Sequence, residues 1–342
     1  MKDAKPRGAM LVGSVPLSDA EEVMSTVSSV LGSHLRRIPD GETGARKNWI
    51  RWQQPLLSNL PFFEAIPPEP GHYAEYPRVR LRPDTDPKSL SFGALGYSEA
   101  AQASYAVFKR LKKAGVIPKK MRFQVSLPTP LAVVNRFVHP DSQAAVEQPY
   151  ERRMLAELKE ICAAIPADDL SVQWDVAVEL ALLEGVWTSH LGNVRGGVID
   201  RLVRLGNAVA GPVELGYHLC YGDFGRKRFA EPADAGLLVE VANKLSAGVH
   251  HPIHWIHMPV PRERSDEAFF APLSHLSLKP GTELYLGLIH ATDGAEGARA
   301  RIQAALKSSP EFGVATECGM GRRPPETLPA LLALHAEVAE PV

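Results

Sequence analysis

The chain has 342 residues, of which 45% are hydrophobic, and this is enough to bury a large core within one domain. Its 38 lysines and arginines nearly balance its 39 aspartates and glutamates. No net charge would therefore draw it to nucleic acid or to an anionic membrane, and small molecules are the expected partners.

The N-terminal residues and the cysteines indicate the compartment. No apolar stretch of signal-peptide or transmembrane length follows the charged residues 1–7. Three cysteines are too few for a disulfide framework in a chain of this length. We expect a cytoplasmic protein whose clustered thiols are ligands or nucleophiles. Cys162, on the apolar face of a helical segment, is expected to be a packing residue.

Short apolar runs alternate with longer segments of helical period, which is typical of parallel strands joined by crossover helices. The predicted strands are 9–12, 122–126, 170–174, 213–219, 254–257, 284–289 and 313–316. The predicted helices are 18–31, which opens with a capping box, 98–114, 233–247, 295–307 and 325–338. With one more strand expected in the proline-rich region 55–87, the pattern predicts an α/β fold, a single (β/α)8 TIM-type barrel spanning residues 1–342.

Polar residues with possible chemical roles follow the apolar runs. Active sites of such barrels are built at the C-terminal ends of the strands, so these side chains are expected to meet at one end of the barrel. They are Ser14, Glu42, Asp175, His218, Cys220, His257, His290 and Cys318.

A metal site is predicted from three of these residues. His218 and Cys220 are two apart at a strand end, so their side chains point to the same side. Cys318 lies in a glycine-rich loop where the backbone can bend to bring its sulfur inward. Three protein ligands with an open position, two of them sulfur, suit catalytic zinc. The spacing alone leaves open the alternative that these cysteines are inert core residues.

Two motifs, taken together, carry a family resemblance. Segment 216–224 (GYHLCYGDF) resembles the zinc-binding strand of cobalamin-independent methionine synthase, and segment 316–323 (TECGMGRR) resembles the loop of that family that supplies a further thiolate. The resemblance implies Zn²⁺ held by His218, Cys220 and Cys318. It also implies transfer of a methyl or other alkyl group to a homocysteine-like thiol, with the zinc-bound thiolate as nucleophile.

Four further segments resemble the same family in the same order: LVGSVP at 11–16, DGETGARKN at 40–48, VQWD at 172–175 and LIHA at 288–291. The resemblance implies that Ser14, Glu42 and Asp175 bind the amino-acid part of the thiol substrate. It assigns His290 a catalytic role in handling a proton or charge near the sulfur.

The departures from the family matter as well. His257 aligns with the family's glutamate ligand, so it is predicted as a possible fourth zinc ligand. The chain is expected to lack the N-terminal barrel of methionine synthase and to resemble only its C-terminal, catalytic half. No tryptophan lies between Trp52 and Trp174, which predicts that an aromatic platform for a folate donor is missing and leaves the alkyl donor open.

Two alternatives to the methyltransferase remain at this stage. One is a thiol-adding lyase or transferase resembling epoxyalkane coenzyme M transferase, which opens an electrophile with a zinc thiolate. The other is a metal-free barrel resembling uroporphyrinogen decarboxylase. For both the methyltransferase and the thiol-adding enzyme, the expected partners are a small-molecule thiol and an alkyl donor.

Overall fold

The computed structural model describes residues 6–67, 77–222 and 227–342. The ten described strands are β1 (Ala9–Met10), β2 (Arg37–Pro39), β3 (Phe63–Ile66), β4 (Arg78–Leu81), β5 (Arg122–Pro128), β6 (Leu170–Val176), β7 (Glu214–Leu219), β8 (Ile253–Pro259), β9 (Glu283–Ile289) and β10 (Gly313–Thr316). The described α-helices are α1 (Ala20–Leu31), α2 (Gln53–Ser58), α3 (Tyr97–Lys113), α4 (Pro130–Phe137), α5 (Pro140–Ala164), α6 (Val178–Leu183), α7 (Val194–Asn207), α8 (Gly236–Gly248), α9 (Glu267–Phe270), α10 (Gly294–Leu306) and α11 (Leu328–Val338).

Eight strands form one parallel sheet in the order β1-β10-β9-β8-β7-β6-β5-β2. Parallel bridges between Ala9 and Leu35 and between Ser14 and Gly41 join its two edges. The predicted TIM-type barrel is therefore confirmed, with helices packed outside it.

The eighth barrel strand is not where it was predicted. It is β2, whereas β3 and β4 of region 55–87 pair antiparallel in a separate two-stranded sheet. Residues 68–76 of that region lie outside the described residues. The strand β2 escaped prediction because its three residues, Arg37, Ile38 and Pro39, show no apolar run; pairing with β5 makes it a strand.

The five predicted helices are confirmed within a few residues as α1, α3, α8, α10 and α11. The helices α2, α4, α6, α7 and α9 were not predicted, and of α5 only the part around Cys162 was expected to be helical. In α5 the apolar positions are diluted by buried charged residues such as Glu147, Glu151 and Glu157, which obscure the helical period.

A packed layer of side chains fills the N-terminal end of the barrel. Arg37 lies over the Trp255 ring, 4.2 Å from its centroid, and pairs with Glu214 at 2.6 Å and Glu283 at 2.8 Å. Gly216 leaves the space that Trp255 fills, since a Cβ there would lie 1.9 Å from the indole.

Among the described residues, no helix has the length and apolar character needed to cross a membrane.

The buried carboxylate of Glu147 on α5 holds the loop between α6 and α7. It accepts hydrogen bonds from His190 Nε2 at 2.7 Å and from Arg201 Nη2 at 2.8 Å. Burial opposes ionisation of Glu147, but the hydrogen bonds from Arg201 and His190 outweigh burial and lower its pKa to about 2. The loop pinned in this way carries Trp187.

We expect this carboxylate to make stability depend on acid pH. Because its pKa is lower in the folded chain, Glu147 stabilises the fold above its unfolded pKa, roughly 4.3, and that contribution is lost as the pH falls toward 2. The shift corresponds to about 3 kcal/mol. Glu147→Gln should lower the free energy of unfolding at pH 7 by about that amount and flatten its fall between roughly pH 4 and 2. Urea unfolding at several pH values measures this, with exposed Glu311→Gln as the control; equal pH profiles for both variants would refute it.

Candidate active site

Three potential metal ligands meet at the C-terminal end of the barrel. A ring nitrogen of His218 and the sulfurs of Cys220 and Cys318 all lie within 4.8 Å of one another. The two sulfurs are 3.5 Å apart. Cys220 and Cys318 are 98 residues apart in the chain, and the barrel brings them together beside His218, as the sequence predicted.

The loop that carries Cys318 is held against Ser14. The backbone N–H of Met320 donates to the Ser14 carbonyl at 2.7 Å, and that of Gly321 donates to Ser14 Oγ at 3.2 Å. A Cβ at position 319 would lie 2.3 Å from Ser14 Oγ, so any larger residue there would displace that hydroxyl. Ser14 therefore sets the position of Cys318 in addition to lining the neighbouring cavity.

The donor set fits zinc by chemistry and by spacing. One imidazole and two thiols are the ligands of borderline-soft ions, and three protein ligands are usual in catalytic zinc sites. Two sulfurs each about 2.3 Å from a tetrahedral ion would be roughly 3.8 Å apart, close to the 3.5 Å between Cys220 and Cys318. Arg322 Nη2 lies 4.0 Å from the Cys318 sulfur.

His257 lies behind His218. Its Nδ1 is 2.7 Å from His218 Nδ1, and its Nε2 is 3.0 Å from the carbonyl oxygen of Thr316. It is fully buried and does not belong to the group of converging ligand atoms. With both ring nitrogens hydrogen-bonded, the arrangement favours a role in holding His218 over the predicted role of fourth ligand.

The hydrogen bonds of His257 also assign the tautomer of His218. Burial lowers the pKa of His257 to about 4, so its ring is neutral at pH 7. A carbonyl only accepts, so His257 Nε2 must carry the proton that bonds Thr316, and its Nδ1 must accept from His218 Nδ1–H. The Nε2 lone pair of His218 is then the one available to a metal ion, an arrangement usual for metal-binding histidines.

A cavity of about 100 Å³ opens beside the three ligands, and Ser14, Glu42 and Asp175 form its acidic side. Glu42 has φ 46° and Trp49, which also lines the cavity, has φ 55°; they are the two non-glycine residues with positive φ among the described residues. Such strain is concentrated at functional sites because only the surrounding structure can hold it. Gly13 admits the Glu42 carboxylate, since a Cβ there would lie 2.0 Å from Glu42 Oε1.

The two carboxyl groups of this side resist ionisation. Burial raises the pKa of Asp175 to about 8, and the nearby Cys318 thiol group adds to the rise. Burial and then the charge of Asp175 raise the pKa of Glu42 well above its usual range. A cation placed between the two groups would favour ionisation of both.

Aromatic side chains line much of the rest of the cavity. They are Trp49, Trp187 and Phe229, and the rings of Trp187 and Phe229 are 5.2 Å apart. None of them comes from the segment after β5, where the sequence lacks a tryptophan, so the missing folate platform stays a prediction.

His290 lies to one side of the cavity and is not among its lining residues. Its Nε2 bonds the carbonyl oxygen of Val260 at 3.0 Å, and its Nδ1 is 3.7 Å from Glu317 Oε2. Burial raises the pKa of Glu317, but His290, Arg323 and Arg228 outweigh it and hold that pKa below the usual value. His290 thus contacts the residue before Cys318, and its predicted catalytic role stays a prediction.

No family model matches the chain, and no curated protein matches it. Two solved structures are similar to it along nearly its whole length. One is a Listeria monocytogenes protein provisionally named a vitamin-B12-independent methionine synthase, which is 16% identical, with a TM-score of 0.60 and 98% of both chains covered. The other is a methyltransferase from Methanosarcina mazei, 14% identical, with a TM-score of 0.54 and 98% of this chain and 95% of that one covered.

The chain has the fold of these two proteins. The resemblance read from the motifs is thereby confirmed at the level of the barrel. The last two residues of the motif at 216–224 lie outside the described residues.

Several cavity residues had no signal in the sequence. Trp49 and Trp187 follow no apolar run that ends in the barrel mouth, and Arg136 lies on the helix α4, which was not predicted. Glu317, which contacts His290, could have been singled out from the sequence because it immediately precedes Cys318.

Proposed function

We propose that this protein is an enzyme that transfers a methyl or other alkyl group to a small thiol and depends on zinc. The observation that carries the proposal is the converging donor set of His218, Cys220 and Cys318 at the wall of a cavity whose other side holds two carboxyl groups. The names of the two structurally similar proteins, a methionine synthase and a methyltransferase, agree with this activity.

The three ligand residues would hold the ion at the edge of the cavity. When bound, zinc acts as a Lewis acid that favours the thiolate form of a substrate thiol, and the thiolate is the nucleophile in alkylation. One histidine and two cysteines would leave one position on the ion for that substrate, as in other catalytic zinc sites.

The other side of the cavity would bind the far end of the same substrate. Glu42 and Asp175 are buried carboxyl groups whose ionisation a cation would favour. An ammonium group between them would satisfy both, which favours an amino thiol such as homocysteine. Binding at both ends would hold the sulfur of the thiol in one orientation toward the electrophile. The rings of Trp49 and Trp187 would exclude water from the space around that sulfur.

A direct test uses an alkyl donor that can react without a binding site of its own. Purified protein is incubated with homocysteine and methyl iodide, and the methionine formed is measured with the metal present, after removal by a chelator and after zinc is restored. We expect zinc to raise the rate at least about tenfold over the chelated protein and the chelated rate to recover on restoring zinc. Equal rates in the three samples would refute zinc-dependent thiol alkylation.

Removing the charge from the acidic side should weaken binding of the thiol's amino group. Glu42→Gln and Asp175→Asn should each raise KM for homocysteine about 10- to 100-fold, since a hydrogen bond to a charged group contributes roughly 1.5–3 kcal/mol. Propanethiol, which lacks the ammonium group, should react equally well with the variants and the parent. Exposed Glu311→Gln serves as the control. An unchanged KM for homocysteine, or an equal loss with propanethiol, would show that these carboxyl groups do not bind the ammonium.

A further inference from the structure

The loop after β7 brings Arg228 back to the segment that carries Cys220. The N–H of Phe229 donates to the carbonyl of Tyr221 at 2.9 Å, and the rings of these two residues are 5.8 Å apart. The N–H of Gly222 donates to the Cys220 sulfur at 3.3 Å. Because Arg228 directly precedes Phe229 in the chain, its backbone is fixed next to the residues that surround this sulfur.

Glu317 is tied in the same way to the other sulfur, because it directly precedes Cys318. The hydroxyl of Thr316 donates to the Cys318 carbonyl at 2.7 Å, which closes residues 316–318 on themselves. A force on the Glu317 side chain is therefore passed to Cys318 over a single peptide bond.

The side chains of Arg228 and Glu317 meet between the two loops. Arg228 Nη1 lies 3.6 Å from Glu317 Oε2, and the two side chains are 19% and 18% exposed, so water and salt screen their attraction less than at the surface. Arg228 also pairs with Glu231 at 2.8 Å and with Glu263 at 3.1 Å, but those side chains are 71% and 54% exposed. Exposed pairs contribute little, so the partner of Arg228 that matters most is the one beside Cys318.

Arg323 pairs with the same carboxylate without joining the two loops. Its Nη2 lies 3.5 Å from Glu317 Oε1, and its N–H donates to the Met320 carbonyl at 2.8 Å, within the loop of Cys318. Arg228 and Arg323 thus place equal charges at nearly equal distances from Glu317. Of these two arginines, Arg228 is the one that connects the loop of Cys318 to that of Cys220.

We propose that the ion pair of Arg228 and Glu317 is a clamp that holds Cys220 and Cys318 at the spacing a metal ion requires. Both members of the pair are then positioning residues. Two sulfurs 3.5 Å apart repel each other once they are thiolates, and the clamp offsets the cost of holding them together before the ion binds. The inference rests on the proposed function, since it takes zinc as the ion that the ligands hold.

The test compares zinc affinity, from competition with a chromophoric chelator, with urea unfolding of the zinc-free protein. Arg228→Met and Glu317→Gln should each weaken zinc binding about tenfold, the lower end of the loss seen when a residue that supports metal ligands is removed. The urea midpoint of the zinc-free protein should change little. The double variant should lose no more affinity than either single variant, because one change already opens the clamp. A double loss equal to the product of the single losses would overturn the proposal.

Three further variants separate a clamp from a general effect of charge. Arg323→Met removes an equal charge from beside Glu317, and Glu231→Gln removes an exposed partner of Arg228; both should keep zinc affinity within roughly threefold of the parent. Arg228→Lys, which restores a cation opposite Glu317, should recover most of the affinity that Arg228→Met loses. An Arg323→Met variant as weak as Arg228→Met, or a lysine variant as weak as the methionine variant, would overturn the clamp.

The parent protein distinguishes the two levels of the account. A parent that binds no zinc would refute the proposed function itself. A parent that binds zinc, with Arg228→Met and Glu317→Gln binding it equally well, would refute the clamp and leave the proposed function intact.

Discussion

Cys220→Ser and Cys318→Ser are expected to reduce bound zinc from about one per chain to nearly none, and to abolish zinc-dependent alkylation, while the barrel stays folded. Each change removes one of three converging ligands, and a hydroxyl is a poor replacement for a thiolate. The barrel should survive because its core is formed by eight paired strands and the helices around them, away from the ligands. Metal analysis and circular dichroism of the purified variants measure both effects.

Cys162→Ser is the matched control, because Cys162 packs against the core from α5 and lies outside the ligand group. It should keep its zinc and its activity. Variants of Cys220 or Cys318 that bind zinc as the parent does would contradict the proposed site. Variants that unfold together with the loss of metal would indicate a structural ion instead of a catalytic one.

The second large effect is expected at His257. His257→Leu removes the acceptor that fixes His218 Nδ1–H, so we expect zinc affinity to fall about 10- to 100-fold, as is typical when the partner of a metal-binding histidine is lost. His257→Gln should keep affinity within roughly threefold, because a glutamine oxygen can accept from His218 while its amide nitrogen donates to Thr316. Competition with a chromophoric zinc chelator measures the affinities.

This pair of variants separates two roles for His257. If the ring is itself a zinc ligand, the glutamine variant should lose affinity as strongly as the leucine variant, because an amide is a weak zinc ligand. The outcome in which glutamine restores binding and leucine does not would establish His257 as a positioning residue.

Much of the barrel could be predicted because its long strands are buried on both faces. The strand β9 is buried at six of seven positions and reads as a nearly continuous apolar run. The strand β6 is buried at all seven positions and alternates apolar with polar residues, which is also a strand pattern. The strand β2 has only one aliphatic residue, Ile38, and owes its conformation to the strand β5 beside it. The local sequence pattern therefore predicts the long buried strands but misses β2.

The candidate site was predictable to a similar degree. His218, Cys220 and Cys318 stand at strand ends, where the topology of the barrel itself brings them together. The hydrogen bonds of His257 depend on the pairing of β7 with β8 and on a carbonyl beyond β10, which no local spacing encodes. Trp187 reaches the cavity on a loop and Arg136 on the short helix α4, and tertiary contacts set the positions of both.

The most direct test of thiol activation at this site is a titration of the cobalt-substituted protein. Cobalt replaces zinc in the site, and its visible absorption reports a change in its ligands. Homocysteine should produce a saturable change in the spectrum, with an added sulfur-to-metal absorption band, whereas homoserine, which has a hydroxyl in place of the thiol, should not. A spectrum that is unchanged by homocysteine, or that responds equally to homoserine, would contradict the account.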